Sequence, residues 1–131
     1  MKTLIVDDDF ASRLLLQTVL SKYGECHIAA DGREALEAFR AAQEHGPAYD
    51  LICMDIMMPR MDGQAAVRKI REMEAARGTH SSAAAKILMT TALDDMKTVF
   101  ASFRELCDAY VVKPVDVNLL LEHLRSFKLI Q

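Results

Sequence analysis

The sequence has few of the residues that mark disulfide-rich, metal-binding or membrane proteins. It contains no tryptophan and three cysteines, Cys26, Cys53 and Cys107. An odd number of widely spaced cysteines argues against a disulfide framework and against a zinc site, so we expect reduced thiols packed as small apolar groups. The apolar run at residues 4–6 is ended by three aspartates, unlike a signal peptide, and no apolar stretch is long enough to span a bilayer. These features predict a cytoplasmic protein.

The chain also lacks a strong excess of charge of either sign. Sixteen basic and 19 acidic residues give a formal net charge of -3, which does not indicate a surface for nucleic acid. The length of 131 residues suits one domain spanning residues 1–131, and a hydrophobic fraction of 51% is enough for one core. The start at Met1 favours an intact N-terminus, but a stand-alone domain and one domain of a longer protein both stay open.

Short apolar segments alternate with amphipathic segments along the chain. The apolar segments predict five strands, at residues 2–6, 26–29, 51–55, 86–90 and 109–112. Helical spacing and capping residues predict five helices, at residues 10–22, between a turn at 31–32 and a stop at 46–47, at residues 63–74, after residue 94, and at 117–124 or beyond. This alternation predicts an α/β fold with a doubly wound, five-stranded parallel sheet and five helices.

The leucines of the first and last helices predict which faces are buried. In the first helix we expect a buried stripe of Leu14, Leu15 and Val19, with Leu16 as a further candidate and Gly24 as the C-cap. In the last helix, one face cannot bury three consecutive leucines at residues 119–121. The outward leucine and the tail at 129–130 then form either a partner or dimer surface, or the edge of a wide buried face.

Acidic, hydroxyl and basic side chains follow four of the five predicted strands. Because parallel strands end at the same edge of a sheet, we expect these side chains to converge. Crowded carboxylates repel one another, and a hard cation such as Mg²⁺, which takes oxygen ligands, removes that conflict. An ammonium and a hydroxyl beside them complete a site for a phosphoryl group, with Asp55 as the nucleophile. The strand-end residues are Asp7, Asp8, Asp9, Asp55, Thr90, Thr91 and Lys113.

Four segments of the chain resemble the receiver domain of two-component response regulators. They are residues 4–8 (LIVDD), 54–63 (MDIMMPRMDG), 91–92 (TA) and 110–114 (YVVKP), in the order and spacing of that family. The resemblance implies a flavodoxin-like fold with strand order 2-1-3-4-5. It also implies a phosphoacceptor switch that takes its phosphoryl group from a phosphohistidine on a sensor histidine kinase or a histidine phosphotransfer protein.

The resemblance implies a role for each residue at the acceptor site. Asp55 is the phosphoacceptor, and Asp8 and Asp55 bind Mg²⁺ directly. The backbone carbonyl of Met57 is the third protein ligand, and Asp7 contributes through a water molecule. Lys113 contacts the phosphoryl oxygens. We therefore expect Mg²⁺ as the cofactor of a signalling protein rather than of an enzyme acting on other substrates.

The same resemblance implies a conformational switch. Thr91, which the following Ala92 favours over Thr90, moves to hydrogen-bond the phosphoryl group, and Tyr110 swings inward with it. This movement changes the face formed by the fourth helix, the fifth strand and the last helix, where an effector or a second copy of the chain would bind. The family pattern also implies a cis peptide bond at residues 113–114.

Two positions are expected to set how long the phosphoryl group survives. They are Met57, two residues after the acceptor, and Leu93, two residues after the switch threonine. Neither side chain can orient an attacking water by hydrogen bonding, so we predict slow self-dephosphorylation.

Two other functions compete with the switch. The first is a Mg²⁺-dependent phosphohydrolase with an aspartyl nucleophile, but that chemistry needs a second acid where this chain has Met57. The second is a degenerate receiver that binds partners without phosphorylation, which the four intact site positions argue against. Those positions are Asp8, Asp55, Thr91 and Lys113.

Overall fold

A computed structural model describes residues 1–58, 61–79, 82–92 and 106–131. Its strands are β1 (Lys2–Val6), β2 (Glu25–Ala29), β3 (Leu51–Asp55), β4 (Lys86–Thr91) and β5 (Ala109–Val112). They form one parallel sheet in the order β2-β1-β3-β4-β5, which confirms the predicted topology.

Four helices lie in the described ranges. They are α1 (Phe10–Leu20), α2 (Gly32–His45), α3 (Gly63–Ala76) and the C-terminal helix (Val117–Ser126). The helix predicted after residue 94 falls on residues 93–105, outside those ranges. None of the described helices is long and apolar enough to cross a membrane.

Each of these helices begins after an aspartate cap. The side chain of Asp9 accepts a hydrogen bond from the Ser12 N–H, and Asp31 and Asp116 cap α2 and the C-terminal helix in the same way. An N-cap carboxylate satisfies a backbone donor that has no partner within the helix. The caps therefore set where the chain leaves the strand ends, and with it the position of the loops at that edge.

The sheet separates two apolar cores because side chains alternate between its faces. The first core cluster lies on the side of α2 and α3 and includes Ile52, Met54, Ile87 and Met89. The second core cluster lies on the side of α1 and the C-terminal helix and includes Ile5, Leu51, Cys53, Leu88 and Val111. β3 is buried along its whole length, so the sheet offers a rigid base for its strand ends.

The buried stripe predicted for α1 was wrong for Leu14 and Leu15, whereas Val19 packs against the second core cluster and Leu16 is buried. Leu16 and Leu20 are its buried residues, and Leu14 and Leu15 are exposed by 51% and 37%. The helix ends at Leu20, earlier than predicted, with Ser21 as its C-cap. The physical reason is that consecutive leucines offer several possible stripes, and the sheet selects the pair at i and i+4 that reaches the second core cluster.

The prediction that Gly24 is the C-cap of α1 was also wrong. Gly24 does not cap α1. A Cβ there would overlap the backbone of Met1, so glycine permits a close chain approach at a positive φ of 153°.

In the C-terminal helix Leu120 is buried and Leu119 is 41% exposed. Leu121 and residues 129–130 pack against the second core cluster, so the outward strip is one leucine wide.

Candidate functional site

Four of the predicted strand-end residues, Asp7, Asp8, Asp55 and Lys113, meet at one edge of the sheet, whereas Asp9 caps α1. Carboxylate oxygens of Asp7, Asp8 and Asp55 lie within 4.8 Å of one another. The Lys113 Nζ lies 3.1 Å from Asp7 Oδ2 and 3.3 Å from Asp55 Oδ2. Three acids and one ammonium therefore surround a common point. They come from distant parts of the chain, since Asp55 lies 48 residues after Asp7 and Lys113 lies 58 residues after Asp55.

The backbone after β1 fixes the first two acids. The Asp7 N–H donates to the carbonyl of Ala29 at 3.1 Å, which extends the pairing of β1 with β2 by one residue. The Asp9 N–H then donates to Asp7 Oδ1 at 2.9 Å. Asp7 is fully buried, and Asp8 is exposed. Asp7 is thus held rigidly while Asp8 faces the solvent side of the site.

The acceptor candidate Asp55 is held by contacts on both sides of its backbone. After it, the Ile56 N–H donates to the Thr90 carbonyl at 3.1 Å, and the Gly63 N–H donates to the Ile56 carbonyl at 2.9 Å. A Cβ at Gly63 would overlap the Asp55 carbonyl, so only glycine lets α3 start this close to the strand end. Asp62, the N-cap of α3, and Gly63 are two positioning residues whose contacts the sequence pattern did not reveal.

The electrostatics of the site favour a further positive charge. Burial, together with the negative charge of Asp7, raises the pKa of Asp55 to about 6, although Lys113 acts in the opposite direction. Burial disfavours the charged form of Lys113, but its hydrogen bond to Asp7 and the charge of Asp55 outweigh that effect and raise the pKa of Lys113. One ammonium does not balance three carboxylates, and a hard divalent cation with oxygen ligands would.

The predicted switch residues lie on β4 and β5, the two strands that follow the acceptor strand in the sheet. Thr91 is buried, and its hydroxyl donates to the carbonyl of Ala92 at 3.0 Å. Tyr110 is half-buried and packs against the first core cluster. The peptide bond between residues 113 and 114 is cis, as the family pattern implies.

Of the two positions expected to set the phosphoryl lifetime, the structure describes Met57. Met57 is 64% exposed, and its thioether has no hydrogen to donate. Leu93 lies outside the described residues.

The sequence model of the response regulator receiver domain family matches residues 3–125 of the chain. The chain belongs to this family. It is a receiver domain of two-component signalling.

Individual relatives support the assignment. The receiver domain is 31% identical to the chemotaxis protein CheY of Bacillus subtilis over 121 residues, which are 92% of each protein. It is 37% identical to the hybrid signal transduction histidine kinase I of Dictyostelium discoideum over 92% of its own length but only 7% of the kinase. Among further relatives, three transcriptional regulators named ycf27 are matched over less than half of their length.

A solved complex shows the same fold beside a phosphotransfer protein. The Saccharomyces cerevisiae receiver domain of Ssk1, crystallised with the histidine phosphotransfer protein Ypd1, has a TM-score of 0.78 and 26% identity with this chain. The alignment covers 97% of this chain and 88% of the other. The likeness supports the five-stranded fold.

Proposed function

We propose that this receiver domain is a phosphorylation-dependent switch in which Asp55 accepts a phosphoryl group. The observation that best supports the proposal is the position of the Lys113 ammonium, 3.1 Å from Asp7 and 3.3 Å from Asp55. A buried nucleophilic carboxylate beside a fixed cation is suited to a group that carries negative charge onto the acceptor.

The transfer joins an Asp55 carboxylate oxygen to phosphorus and breaks the phosphorus–nitrogen bond of a phosphohistidine. The imidazole leaves with the bonding electrons and takes up a proton. Lys113 stabilises the phosphoryl oxygens during the transfer, since its ammonium already reaches the Asp55 carboxylate. The product is an acyl phosphate on Asp55.

We propose that Mg²⁺ is the cofactor, because the acidic trio is a set of hard oxygen donors. Asp8, Asp55 and the backbone carbonyl of Met57 would hold it, and Asp7 would contribute through a water molecule. When bound, the ion neutralises charge on the phosphoryl oxygens. Exposed Asp8 lies on the side from which the ion can enter, and buried Asp7 stays attached to Lys113.

Phosphorylation would act as a switch through Thr91 and Tyr110. Thr91 bonds the neighbouring carbonyl of Ala92, a local contact that it can exchange for a bond to a phosphoryl oxygen. Tyr110 lies on β5, the strand next to that of Thr91, and is only partly buried, so it can move with Thr91. We propose that this changes the face of β5 and the C-terminal helix, where exposed Leu119 is available to an effector or a second copy of the chain.

We propose a sensor histidine kinase or a histidine phosphotransfer protein as the phosphodonor. The receiver of the Ssk1 complex pairs with a protein of the second class, and the Dictyostelium relative is itself a histidine kinase. We also propose that the chain is no enzyme for other substrates, because Met57 occupies the position where an aspartyl phosphohydrolase needs a second acid. Three free thiols agree with a cytoplasmic location.

The test is intact mass after incubation with acetyl phosphate, with and without Mg²⁺. We expect one added phosphoryl group that requires Mg²⁺ and is absent in Asp55→Asn. Asp50→Asn is the matched control, because Asp50 is an exposed carboxylate at the opposite edge of the sheet. No added mass in the wild type from either acetyl phosphate or a phosphorylated histidine phosphotransfer protein would refute the proposal and favour a receiver that only binds partners. Continuous turnover of phosphomonoesters would favour the phosphohydrolase.

A further inference from the structure

Thr90 places a hydroxyl group on the strand next to that of Asp55. The two residues are register partners on neighbouring strands β3 and β4. Thr90 is 1% exposed, and its Oγ1 is buried with no hydrogen-bond partner in the part of the chain that the structure describes. A buried hydroxyl without a partner is unusual because it has lost its hydrogen bonds to water.

The alternation of side chains places this hydroxyl on the same face as the acceptor. Asp55 follows Cys53 by two residues and Thr90 follows Leu88 by two residues, and both Cys53 and Leu88 belong to the second core cluster. Lys113 follows Val111 of that cluster in the same way, and its Nζ does reach Asp55. Thr90 is therefore on the side of the sheet where the carboxylates and the ammonium meet.

Thr91 differs from Thr90 in the face of the sheet that it occupies and in the hydrogen bonding of its hydroxyl. It follows Met89, which belongs to the first core cluster on the opposite face, and its hydroxyl already has a partner in the Ala92 carbonyl. The two adjacent threonines thus point to different sides of the sheet, and only Thr90 keeps a donor without a partner beside the Asp55 register position.

We propose that Thr90 is a positioning residue for the acceptor, an inference that rests on the proposed function. Its hydroxyl would donate to the Asp55 carboxyl oxygen that is not bonded to phosphorus, in the transition state and in the acyl phosphate. No bond to Thr90 forms or breaks. The hydrogen bond holds the carboxyl plane so that its other oxygen faces the phosphodonor, and it gives the buried hydroxyl the acceptor that it lacks.

Thr3 supplies a matched control for the simpler explanation that threonine only fills space in a strand. Thr3 is 0% exposed, its Oγ1 likewise has no partner among the described residues, and it precedes Ile5 of the second core cluster by two residues. It lies at the opposite end of the strands from the acceptor edge. If both threonines serve only packing, replacing either one by valine should have the same effect.

The experiment compares Thr90→Val, Thr90→Ser and Thr3→Val with the wild-type chain. The rate of phosphorylation by acetyl phosphate is measured by intact mass over a range of phosphodonor concentrations at saturating Mg²⁺, and urea unfolding is measured in parallel. We expect Thr90→Val to lower the maximal rate about tenfold, as for the loss of a hydrogen bond to a charged group, with the half-saturating concentration unchanged. Thr90→Ser should restore most of the rate because it keeps the hydroxyl, and Thr3→Val should leave the rate unchanged.

Each outcome decides the proposal. A wild-type maximal rate in Thr90→Val overturns it, even if the unfolding free energy changes. A loss of rate that Thr90→Ser does not restore also overturns it, since the hydroxyl is then not the cause. A wild-type chain that accepts no phosphoryl group overturns the proposed function and this inference together, whereas normal wild-type phosphorylation with a silent Thr90→Val overturns this inference alone.

Discussion

Asp55→Asn should make the protein more stable at neutral pH although it removes the acceptor. The side chain of Asp55 is 8% exposed, and burial and Asp7 raise its pKa from 3.8 to about 6. A difference of about two pKa units corresponds to about 3 kcal/mol between the charged and neutral forms. Asparagine has nearly the same shape and carries no charge, so it resembles the neutral form. We expect a gain of about 1–3 kcal/mol in the free energy of unfolding at about pH 7.5; the favourable contact with Lys113 is already included in the pKa of about 6.

The sign of the pH dependence follows from the raised pKa. Between the unfolded value of 3.8 and the folded value of about 6, the folded wild type binds more protons than the unfolded chain. The stabilisation from proton binding is therefore complete below 3.8 and is lost as the pH rises through about 6. The advantage of Asp55→Asn should be largest above pH 6 and should vanish near pH 4. Urea unfolding without Mg²⁺, followed by circular dichroism at several pH values, measures it.

The control for this experiment is Asp50→Asn, which also removes one carboxylate but from an exposed position. It should change stability by less than about 1 kcal/mol, because the asparagine oxygen can still accept the hydrogen bond from the Lys2 N–H. Equal stability of Asp55→Asn and wild type at about pH 7.5, or a difference independent of pH, would show that Asp55 is not held in an unfavourable charged form. In that case the electrostatic argument for a bound cation would fail.

Three further changes test other parts of the structure. Lys113→Met should slow phosphorylation by acetyl phosphate about a hundredfold, because the phosphoryl oxygens lose their fixed cation. The same change should strengthen Mg²⁺ binding measured by calorimetry, since the ion no longer competes with the ammonium. Weaker Mg²⁺ binding would contradict this prediction. Gly63→Ala should lower the unfolding free energy by at least about 2 kcal/mol in urea, because its Cβ would overlap the Asp55 carbonyl, and an unaffected protein would show that α3 can shift freely. Leu16→Ala should lower the unfolding free energy by about 2–5 kcal/mol and Leu14→Ala by less than about 0.5 kcal/mol, an order that the exposure of the two side chains requires.

The sequence was sufficient to predict the sheet and the convergence of the site residues, because each decisive signal is local in the chain. An apolar run that stops at a charged or hydroxyl residue marks both a strand and its functional end, as at Asp7, Asp55 and Lys113. Parallel pairing then brings these ends together without any further information. The stripe of α1 could not be predicted in the same way, because Leu14 and Leu16 are equally apolar and only contact with the sheet distinguishes them.

The finer features of the site depend on register and on close approaches, which periodicity does not encode. The sequence shows two threonines in a row, but only the pairing of Thr90 with Asp55 and the hydrogen bond of Thr91 to Ala92 show that their hydroxyls differ. Gly63 is visible in the sequence as a helix start, whereas its contact with the Asp55 carbonyl appears only when α3 is in place.

The contacts of Lys113 with Asp7 and Asp55 also bear on how the protein is made and degraded. They join the first, third and last strand ends, so the acceptor is complete only when nearly the whole domain has been synthesised and folded. A nascent chain that ends before residue 113, or a fragment left by proteolysis, still contains Asp55 but lacks the ammonium beside it. Incomplete copies should therefore be poor phosphoacceptors and should not drain phosphoryl groups from the donor.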